Sequence, residues 1–145
     1  MKTKTIHIYL AGPIAFCTDA QACDWREYAK TNLKKPYIID TQRIKCEFLD
    51  PMVRDYREHY GDRTIDAEVV ELDKRDIDQA DVVFANITQP SAGTSMELLY
   101  SWERQKAIVT VVEKQIEVSP WITYHSTKVV RSLEEGIKWI QTHVR

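Results

Sequence analysis

The sequence contains few of the residues that bind metals or form disulfides. Its three cysteines, Cys17, Cys23 and Cys46, are odd in number and lack CxxC spacing, and its four histidines form no HxxxH pair. This pattern is typical of cytosolic thiols and not of a disulfide framework or a zinc site. We therefore expect a cytoplasmic protein without a bound metal.

Long apolar runs and an excess of one charge are also missing. No run approaches the roughly 18 apolar residues of a membrane helix, and the first residues lead into an apolar stretch without signal-peptide features. The chain carries 20 Lys+Arg against 22 Asp+Glu, a net charge of −2, so it has no basic excess that would attract a nucleic acid polymer. These absences predict one soluble domain over residues 1–145, with no membrane or nucleic-acid partner.

The sequence alternates apolar strand patterns with helical periodicities. Strands are predicted at residues 6–10, 82–87 and 107–112, with shorter candidates at 37–39, 46–49 and 129–130. Helices are predicted after Thr18 or Asp19 and over residues 64–79, 94–106 and 132–144. Such alternation predicts a parallel sheet with helices on both faces, a doubly wound α/β fold.

Two turns are predicted to share one edge of this sheet, residues 12–16 and residues 89–94. Ligands of doubly wound proteins bind outside the carboxyl ends of the strands, where these turns lie. Gly12 and Gly93 would let the backbone approach a ligand closely. The second turn and the residue after it add three hydroxyl groups, from Ser91, Thr94 and Ser95. Neither GxxxxGK[ST] nor GxGxxG is present, which argues against a P-loop or a dinucleotide-dependent oxidoreductase.

A carboxylate pair is the next candidate feature. Glu97 is predicted in the first turn of a helix, where the helix dipole favours its ionised form and suits it to act as a nucleophile. The same residues, Thr94–Glu97, also fit a capping box, in which Glu97 is only a cap. Cleavage of a glycoside commonly requires a second carboxylate on the other side of the bond. Spacing alone leaves four candidates for it: Asp73, Asp76, Asp78 and Asp81.

Several motifs together resemble the nucleoside 2-deoxyribosyltransferase family. They are Tyr9–Pro13, the helix with Asp73, Ala80–Val83 and Gly93–Glu97. The segment Thr88–Ser91 is particularly similar to the family's branch of 2′-deoxynucleoside 5′-monophosphate N-glycosidases. The likeness runs from about residue 6 to the last helix. It implies a five-stranded Rossmann-like fold and cleavage of the bond between base and deoxyribose.

The resemblance also implies roles for individual residues. Glu97 matches the nucleophile that forms a covalent deoxyribosyl-enzyme, and Asp73 matches the carboxylate that assists the proton transfers. Tyr9 matches a tyrosine beside the nucleophile. Gly12, Gly93 and Thr94 lie in the turns that admit substrate, together with Ile14 and Phe16. Phe16 is a better candidate than Trp25 for stacking on a base, because Trp25 has the spacing of a core residue. No cofactor is implied.

Two serines favour a nucleotide substrate and hydrolysis. The nucleoside transferases carry an aspartate at the position of Ser91 and an asparagine at the position of Ser119, and the resemblance places Ser119 at a neighbouring subunit's substrate. A homodimer or higher homo-oligomer is therefore expected. The first turn departs from the hydrolase pattern and is closer to that of the transferases. Arg26 or Arg54 could supply the missing positive charge, although a solvated surface arginine is the simpler interpretation of either.

Three functions follow as hypotheses. The first is hydrolysis of a 2′-deoxynucleoside 5′-monophosphate or a related nucleotide through Glu97. The second is a deoxyribosyltransferase that exchanges bases between deoxynucleosides. The third is a non-catalytic nucleotide-binding module that uses the same cleft. All three have a small nucleoside or nucleotide as the partner.

Overall fold

The computed structural model describes all 145 residues and contains a six-stranded sheet flanked by five α-helices. The elements in chain order are β1 (Thr3–Ala11), α1 (Asp19–Leu33), β2 (Tyr37–Ile39), β3 (Gln42–Leu49), α2 (Arg63–Gln79), β4 (Val82–Ile87), α3 (Ala92–Glu103), β5 (Ala107–Val112), α4 (Pro120–Tyr124), β6 (Lys128–Val130) and α5 (Leu133–His143). None of these helices has the length and hydrophobicity needed to cross a membrane.

The sheet has the order β2-β3-β1-β4-β5-β6. Every neighbouring pair is parallel except β2 and β3, which form an antiparallel hairpin. The predicted doubly wound α/β class is therefore confirmed, with one strand more than the resemblance implied. The additional strand is β2, three residues long, which turns into β3 through Asp40 in the left-handed region (φ 54°).

The core lies on both faces of the sheet, as the alternation along β1 requires. Ile8 and Leu10 pack with α1 and α5 on one face, whereas Tyr9 and Ala11 pack with α2, α3 and α4 on the other. All residues of β4 are buried, as expected for a central parallel strand. Tyr9 consequently lies under the two helices that carry Asp73 and Glu97.

Helix α3 begins earlier than the sequence predicted. Its N-cap is Ser91, whose hydroxyl accepts a hydrogen bond from the Thr94 N–H at 3.2 Å. The capping-box interpretation of Thr94–Glu97 is therefore wrong, because a competent cap three residues upstream starts the helix first. Glu97 lies in the second turn, and its carboxylate has no capping role.

The segment between β3 and α2 contains two short 3-10 turns, Pro51–Arg54 and Arg57–His59, where the sequence predicted neither helix nor strand. It crosses the carboxyl edge of the sheet and is held by charged side chains. Arg57 donates to the Cys17 carbonyl at 2.9 Å and pairs with Asp19 at the start of α1. The segment thereby connects α2 to the first turn at this edge.

Candidate active site

Three predicted site residues come together from three different elements. Tyr9 lies on β1, Asp73 on α2 and Glu97 on α3, and the charges of both carboxylates act on the Tyr9 hydroxyl. Tyr9 Oη and Glu97 Oε2 are both buried and have no hydrogen-bond partner. Buried polar atoms are nearly always hydrogen-bonded in folded proteins. The two free atoms therefore mark a place where the protein leaves polar groups available to a ligand.

Burial changes the protonation of Glu97. Desolvation, and next the charge of Asp73, raise the pKa of the Glu97 carboxyl from 4.5 to about 8, against smaller lowering effects of Tyr9, Arg26 and Arg54. The expectation that the helix start keeps Glu97 ionised is wrong for the substrate-free protein. The dipole effect is about 0.3–1 kcal/mol and fades beyond the first turn, whereas desolvation of a buried carboxylate is larger.

Asp73 is held by a half-buried ion pair. Its Oδ1 accepts a hydrogen bond from Arg54 Nη2 at 2.9 Å, while Arg54 Nη1 pairs with Asp76 Oδ2 at 2.7 Å. Burial raises the pKa of Asp73, Arg54 lowers it, and the charge of Asp76 raises it further. Two carboxylates thus share one guanidinium beside Glu97.

The other two acidic candidates face away from this cluster. Asp78 is exposed on the outer side of α2, where its carboxylate pairs with Arg104 at 2.9 Å and accepts from the Tyr100 hydroxyl. Asp81 precedes β4 at the opposite edge of the sheet, where its Oδ2 accepts from the His7 N–H at 2.8 Å. Of the four acids that spacing left open, only Asp73 and Asp76 belong to the site.

Neither candidate arginine is free to bind an anion. Arg26 is completely buried and donates to the carbonyls of Leu10, Ala22 and Gly12, so it is neither a surface arginine nor a phosphate ligand. Arg54 has both terminal nitrogens engaged with carboxylates. Both sequence-based interpretations of Arg26 are wrong, because the cation is used to tie α1 to the end of β1.

The start of α3 offers unused donors instead. The backbone N–H groups of Ala92 and Gly93 donate to no acceptor in the chain, and the Ser91 hydroxyl accepts from the Thr94 N–H and hydroxyl. Thr94 is buried and Gly93 is exposed. Free N–H groups at a helix N-terminus bind anionic or polar oxygens, which agrees with the prediction that this turn receives substrate.

The remaining predicted residues lie outside the cluster of Tyr9, Asp73 and Glu97. Ile14 is half-buried, and Phe16 is fully exposed in the left-handed region (φ 62°). The exposed Ser119 caps the short helix α4, and no hydrogen bond or ion pair connects it to Tyr9, Asp73 or Glu97 within the chain. The turn position of Phe16 leaves its ring free, and a role for Ser119 requires a second subunit.

Gly12 and Gly93, the two turn glycines, differ in the space around them. A Cβ at Gly12 would lie 2.8 Å from Trp25 Cζ2 and 3.2 Å from the Asn86 carbonyl oxygen, whereas a Cβ at Gly93 would meet nothing within 4 Å. Gly12 is therefore needed for close packing against α1. This packing explains the glycine without any contact to substrate. The open space at Gly93 is where a ligand could approach.

We expect these glycines to respond oppositely to alanine substitution. Gly12→Ala should lower the free energy of unfolding by about 1–3 kcal/mol, because the Trp25 ring must move. Gly93→Ala should leave stability unchanged or raise it slightly, since alanine favours a helix, and should raise KM instead. Chemical denaturation and steady-state kinetics of both variants test this. Equal stability losses in the two variants would contradict the distinction.

Sequence reasoning left one residue of the site undistinguished and missed another. Asp76 was one of four equivalent acids, and only its contact with Arg54 separates it from them. Tyr60 follows the second 3-10 turn, and burial together with the charge of Asp73 raises the pKa of its hydroxyl. It is half-exposed beside the cluster. No sequence signal identifies Tyr60, because the segment that carries it has no helix or strand periodicity.

A family model supports the resemblance drawn from the motifs. The model described as nucleoside 2-deoxyribosyltransferase matches residues 8–130, which include both turns, Tyr9, Asp73 and Glu97. The chain belongs to the nucleoside 2-deoxyribosyltransferase family. It is therefore an enzyme of the transferase and N-glycosidase type that acts on small nucleosides or nucleotides.

Solved structures show the same fold at low sequence identity. The 2-deoxyribosyltransferase of the psychrotolerant bacterium Bacillus psychrosaccharolyticus is 20% identical over 89% of this chain and 88% of its own, with a TM-score of 0.67. A conserved protein from Enterococcus faecalis V583 is 15% identical over 95% and 98% of the two chains, with a TM-score of 0.66. The CMP N-glycosidase of Clostridium botulinum is 13% identical over 92% and 97%, with a TM-score of 0.55. No curated protein matches the sequence.

Proposed function

We propose that this member of the nucleoside 2-deoxyribosyltransferase family hydrolyses the N-glycosidic bond of a 2′-deoxynucleoside 5′-monophosphate or a related nucleotide. The observation that carries the proposal is the cluster of Tyr9, Asp73 and Glu97, in which the buried tyrosine hydroxyl and the buried glutamate Oε2 have no partner in the chain. Two carboxylates of different environment are what glycoside cleavage requires. Residues 1–145 act as one catalytic domain, and the free thiols fit a cytoplasmic location.

The first step forms a covalent intermediate. The ionised Glu97 carboxylate attacks C1′ of the sugar, a bond forms between its oxygen and C1′, and the bond between C1′ and the base nitrogen breaks. The electron pair of that bond goes to the base, which takes a proton from Asp73. The Tyr9 hydroxyl lies beside Glu97 and can hydrogen-bond its carboxylate. This step therefore requires the Glu97 carboxylate to be ionised and the Asp73 carboxyl to be protonated.

The second step releases the sugar. Asp73, now ionised, accepts a proton from a water molecule that attacks C1′, and the bond between C1′ and Glu97 breaks. The products are the free base and deoxyribose 5-phosphate, and the two displacements retain the anomeric configuration. Glu97 returns to its carboxylate form, and the cycle consumes one water. No metal is required, since side chains supply both the nucleophile and the acid.

The start of α3 supports the choice of a phosphorylated substrate. The unused N–H groups of Ala92 and Gly93 and the hydroxyl of Ser91 offer polar groups at the start of α3, and residues 88–96 include no acidic side chain. An aspartate at position 91 would repel a 5′-phosphate, whereas a serine can donate a hydrogen bond to one. In this proposal the phosphate lies at the helix N-terminus and needs no arginine.

Base exchange between deoxynucleosides is the second candidate function. Two observations favour it: the first turn, Pro13–Phe16, is similar to that of the transferases, and Arg26 and Arg54 are both engaged within the chain. Without a free cation, an uncharged 5′-hydroxyl would suit the cleft as well as a phosphate. The two functions share Glu97 and differ in whether water or a free base attacks the intermediate.

Product analysis separates these functions. The purified protein is incubated with deoxynucleosides and with their 5′-monophosphates, each with and without a free acceptor base, beside Glu97→Ala and the exposed control Glu103→Ala. We expect free base from a monophosphate in the absence of acceptor. A new nucleoside that forms only with acceptor would establish the transferase. Nucleotide binding without turnover in any tube would indicate the non-catalytic module.

A homodimer is part of the proposal. Helices α3 and α4 expose an aromatic surface, defined here as Trp102, Trp121 and Tyr124 around His125, and both Trp121 and Tyr124 are more than two-thirds exposed (68% and 69%). Ser119 is the N-cap of α4, at the edge of this surface. Large exposed aromatic patches commonly mark protein interfaces. A second copy on this surface would bring Ser119 to a neighbouring site.

We expect Trp121→Glu to dissociate this dimer and to reduce turnover, because a charge replaces an apolar anchor and Ser119 is removed from the partner's substrate. Light scattering at several protein concentrations measures the mass, and the product assay measures activity. Lys128→Glu, a charge change at an exposed position of β6, is the control. A wild-type monomer that turns over normally would contradict the role of Ser119.

A further inference from the structure

The Arg54 guanidinium is divided between two carboxylates of one helix. Asp73 and Asp76 are three residues apart on α2, so their side chains lie on the same face. Arg54 reaches each through a different terminal nitrogen, Nη2 to Asp73 at 2.9 Å and Nη1 to Asp76 at 2.7 Å. A guanidinium can instead bind one carboxylate through two parallel hydrogen bonds, which is its strongest arrangement. Asp76 prevents that arrangement at Asp73.

Asp76 has no other evident task. The residue is almost completely buried, with 5% of its surface exposed, and Arg54 is the only partner of its side chain. A buried carboxylate costs free energy that pairing seldom returns in full. An apolar residue at this position of α2 would pack without that cost and would leave Arg54 to Asp73 alone. Stability therefore does not explain why Asp76 is buried beside Asp73 and Glu97.

The reaction gives this acid a use. Burial raises the pKa of Glu97 and so favours its protonated form, whereas attack on C1′ needs Glu97 ionised and the proton on Asp73. Any contact that stabilises ionised Asp73 makes the productive arrangement rarer. Arg54 is such a contact, and its effect on Asp73 is smaller when half of its donors are directed to Asp76.

We propose that Asp76 is a positioning residue that divides the Arg54 guanidinium and thereby leaves Asp73 able to carry the proton that the leaving base receives. This inference rests on the proposed function, because it assigns a purpose to the protonation of Asp73. Asp76 acts only through Arg54 and touches neither substrate nor Glu97. It is distinct from the three residues that the family resemblance assigned.

Charged and titratable groups surround Asp73 from every element packed against it. Arg54 and Arg26 attract the ionised Asp73 carboxylate, whereas Asp76 on α2 and Glu97 on α3 disfavour a second negative charge there. The Tyr9 and Tyr60 hydroxyls also face it, and both remain neutral because their pKa values are raised. Of these groups, Asp76 is the one whose charge can be removed without touching the reacting atoms.

Asp76→Asn tests the proposal. Asparagine retains an oxygen that accepts from Arg54 Nη1 but loses the charge, so the fold is expected to persist; Asp76→Ser is a second variant. The matched control is Asp78→Asn, an exposed acid on the same helix. The kcat/KM of each protein is measured against pH with a deoxynucleoside 5′-monophosphate. Carbon-13 NMR follows the titration of the Asp73 carboxyl without substrate.

We expect the Asp73 carboxyl of Asp76→Asn to titrate about one pH unit lower than in the wild type, and the maximum of kcat/KM to fall about tenfold, since one pKa unit is a tenfold change in protonation. The acid limb of the profile should move to lower pH, and Asp78→Asn should match the wild type. A lost charge that only weakened the fold would lower Tm and leave both titrations in place, which would overturn the proposal.

The two readouts separate this inference from the proposed function. If no substrate turns over in the wild type, the proposed function fails, and the NMR titration still decides whether Asp76 controls the protonation of Asp73. If the wild type hydrolyses nucleotides and Asp73 titrates at the same pH in Asp76→Asn, the inference fails and the proposed function stands.

Discussion

Replacing Glu97 by glutamine is expected to abolish turnover and, at the same time, to make the protein more stable above neutral pH. Glutamine cannot form the covalent intermediate, so activity should fall by about a thousandfold or more, as for other nucleophiles. The gain in stability has a separate cause. The folded protein buries the Oε2 atom of Glu97 without a hydrogen-bond partner, and the glutamine side chain has no charge to desolvate.

The pH range of the stability gain follows from the pKa of Glu97. The folded-state pKa of about 8 lies above the ordinary value of 4.5, so the folded protein binds more protons than the unfolded chain between these values. Stability of the wild type therefore declines as pH rises through this range. The stability of Glu97→Gln should not fall in this way, because glutamine does not ionise. Its free energy of unfolding should exceed that of the wild type by about 1–3 kcal/mol near pH 8.

Thermal and chemical unfolding at about pH 4 and pH 8, together with the product assay, measure both effects. Glu103→Gln, an exposed position of α3, is the matched control and should change neither activity nor stability. Turnover by Glu97→Gln at the wild-type rate would remove Glu97 from the chemistry. An unchanged difference in stability at the two pH values would show that the Glu97 carboxylate is solvated in the folded protein.

The largest expected loss of stability comes from Arg26→Met. The guanidinium is completely buried and donates hydrogen bonds to three backbone carbonyls, those of Leu10, Gly12 and Ala22. It also lies 3.7 Å from the buried Asp50 carboxylate, whose other cation is Lys30. Methionine fills much of the volume but leaves the carbonyls without donors. We expect the free energy of unfolding to fall by about 3–5 kcal/mol.

Urea denaturation of Arg26→Met beside Arg43→Met tests this expectation. Arg43 is exposed on β3 and has no ion-pair partner, so its replacement should change stability by less than about 0.5 kcal/mol. Arg26→Lys should recover only part of the loss, because one ammonium group cannot reproduce the planar fork that reaches several carbonyls. A stability loss below about 1 kcal/mol in Arg26→Met would show that water or side chains replace the lost donors.

The fold was largely predictable because its signals are local. The apolar run of β4 and the helical periodicity of α2 are properties of neighbouring residues, and both elements occur where the sequence placed them. The start of α3 could not be predicted from local signals, because both Ser91 and Thr94 are residues that commonly cap helices. Only the path of the chain after β4 makes Ser91 the cap. The short strand β2 was a candidate whose direction depends on a turn at Asp40.

The site was predictable in its residue types but not in its electrostatics. The motifs indicated Tyr9, Asp73 and Glu97, and the structure brings these three together. Their catalytic roles stay a prediction. The protonation of Glu97 depends on how completely two helices and a strand exclude water, which no local pattern encodes. The engagement of Arg26 and Arg54 likewise depends on partners that are distant in the chain.

The sequence by itself determined the class of fold and the family, because strand and helix periodicities and short motifs are carried by adjacent residues. Only the tertiary structure decided which of four acids on one segment joins Glu97, why Gly12 and Gly93 differ, and which arginines are available to a ligand. The physical reason is that burial, ion pairing and close packing arise between segments that meet only in the folded chain. Asp76 is an example, since its proposed role depends entirely on its contact with Arg54.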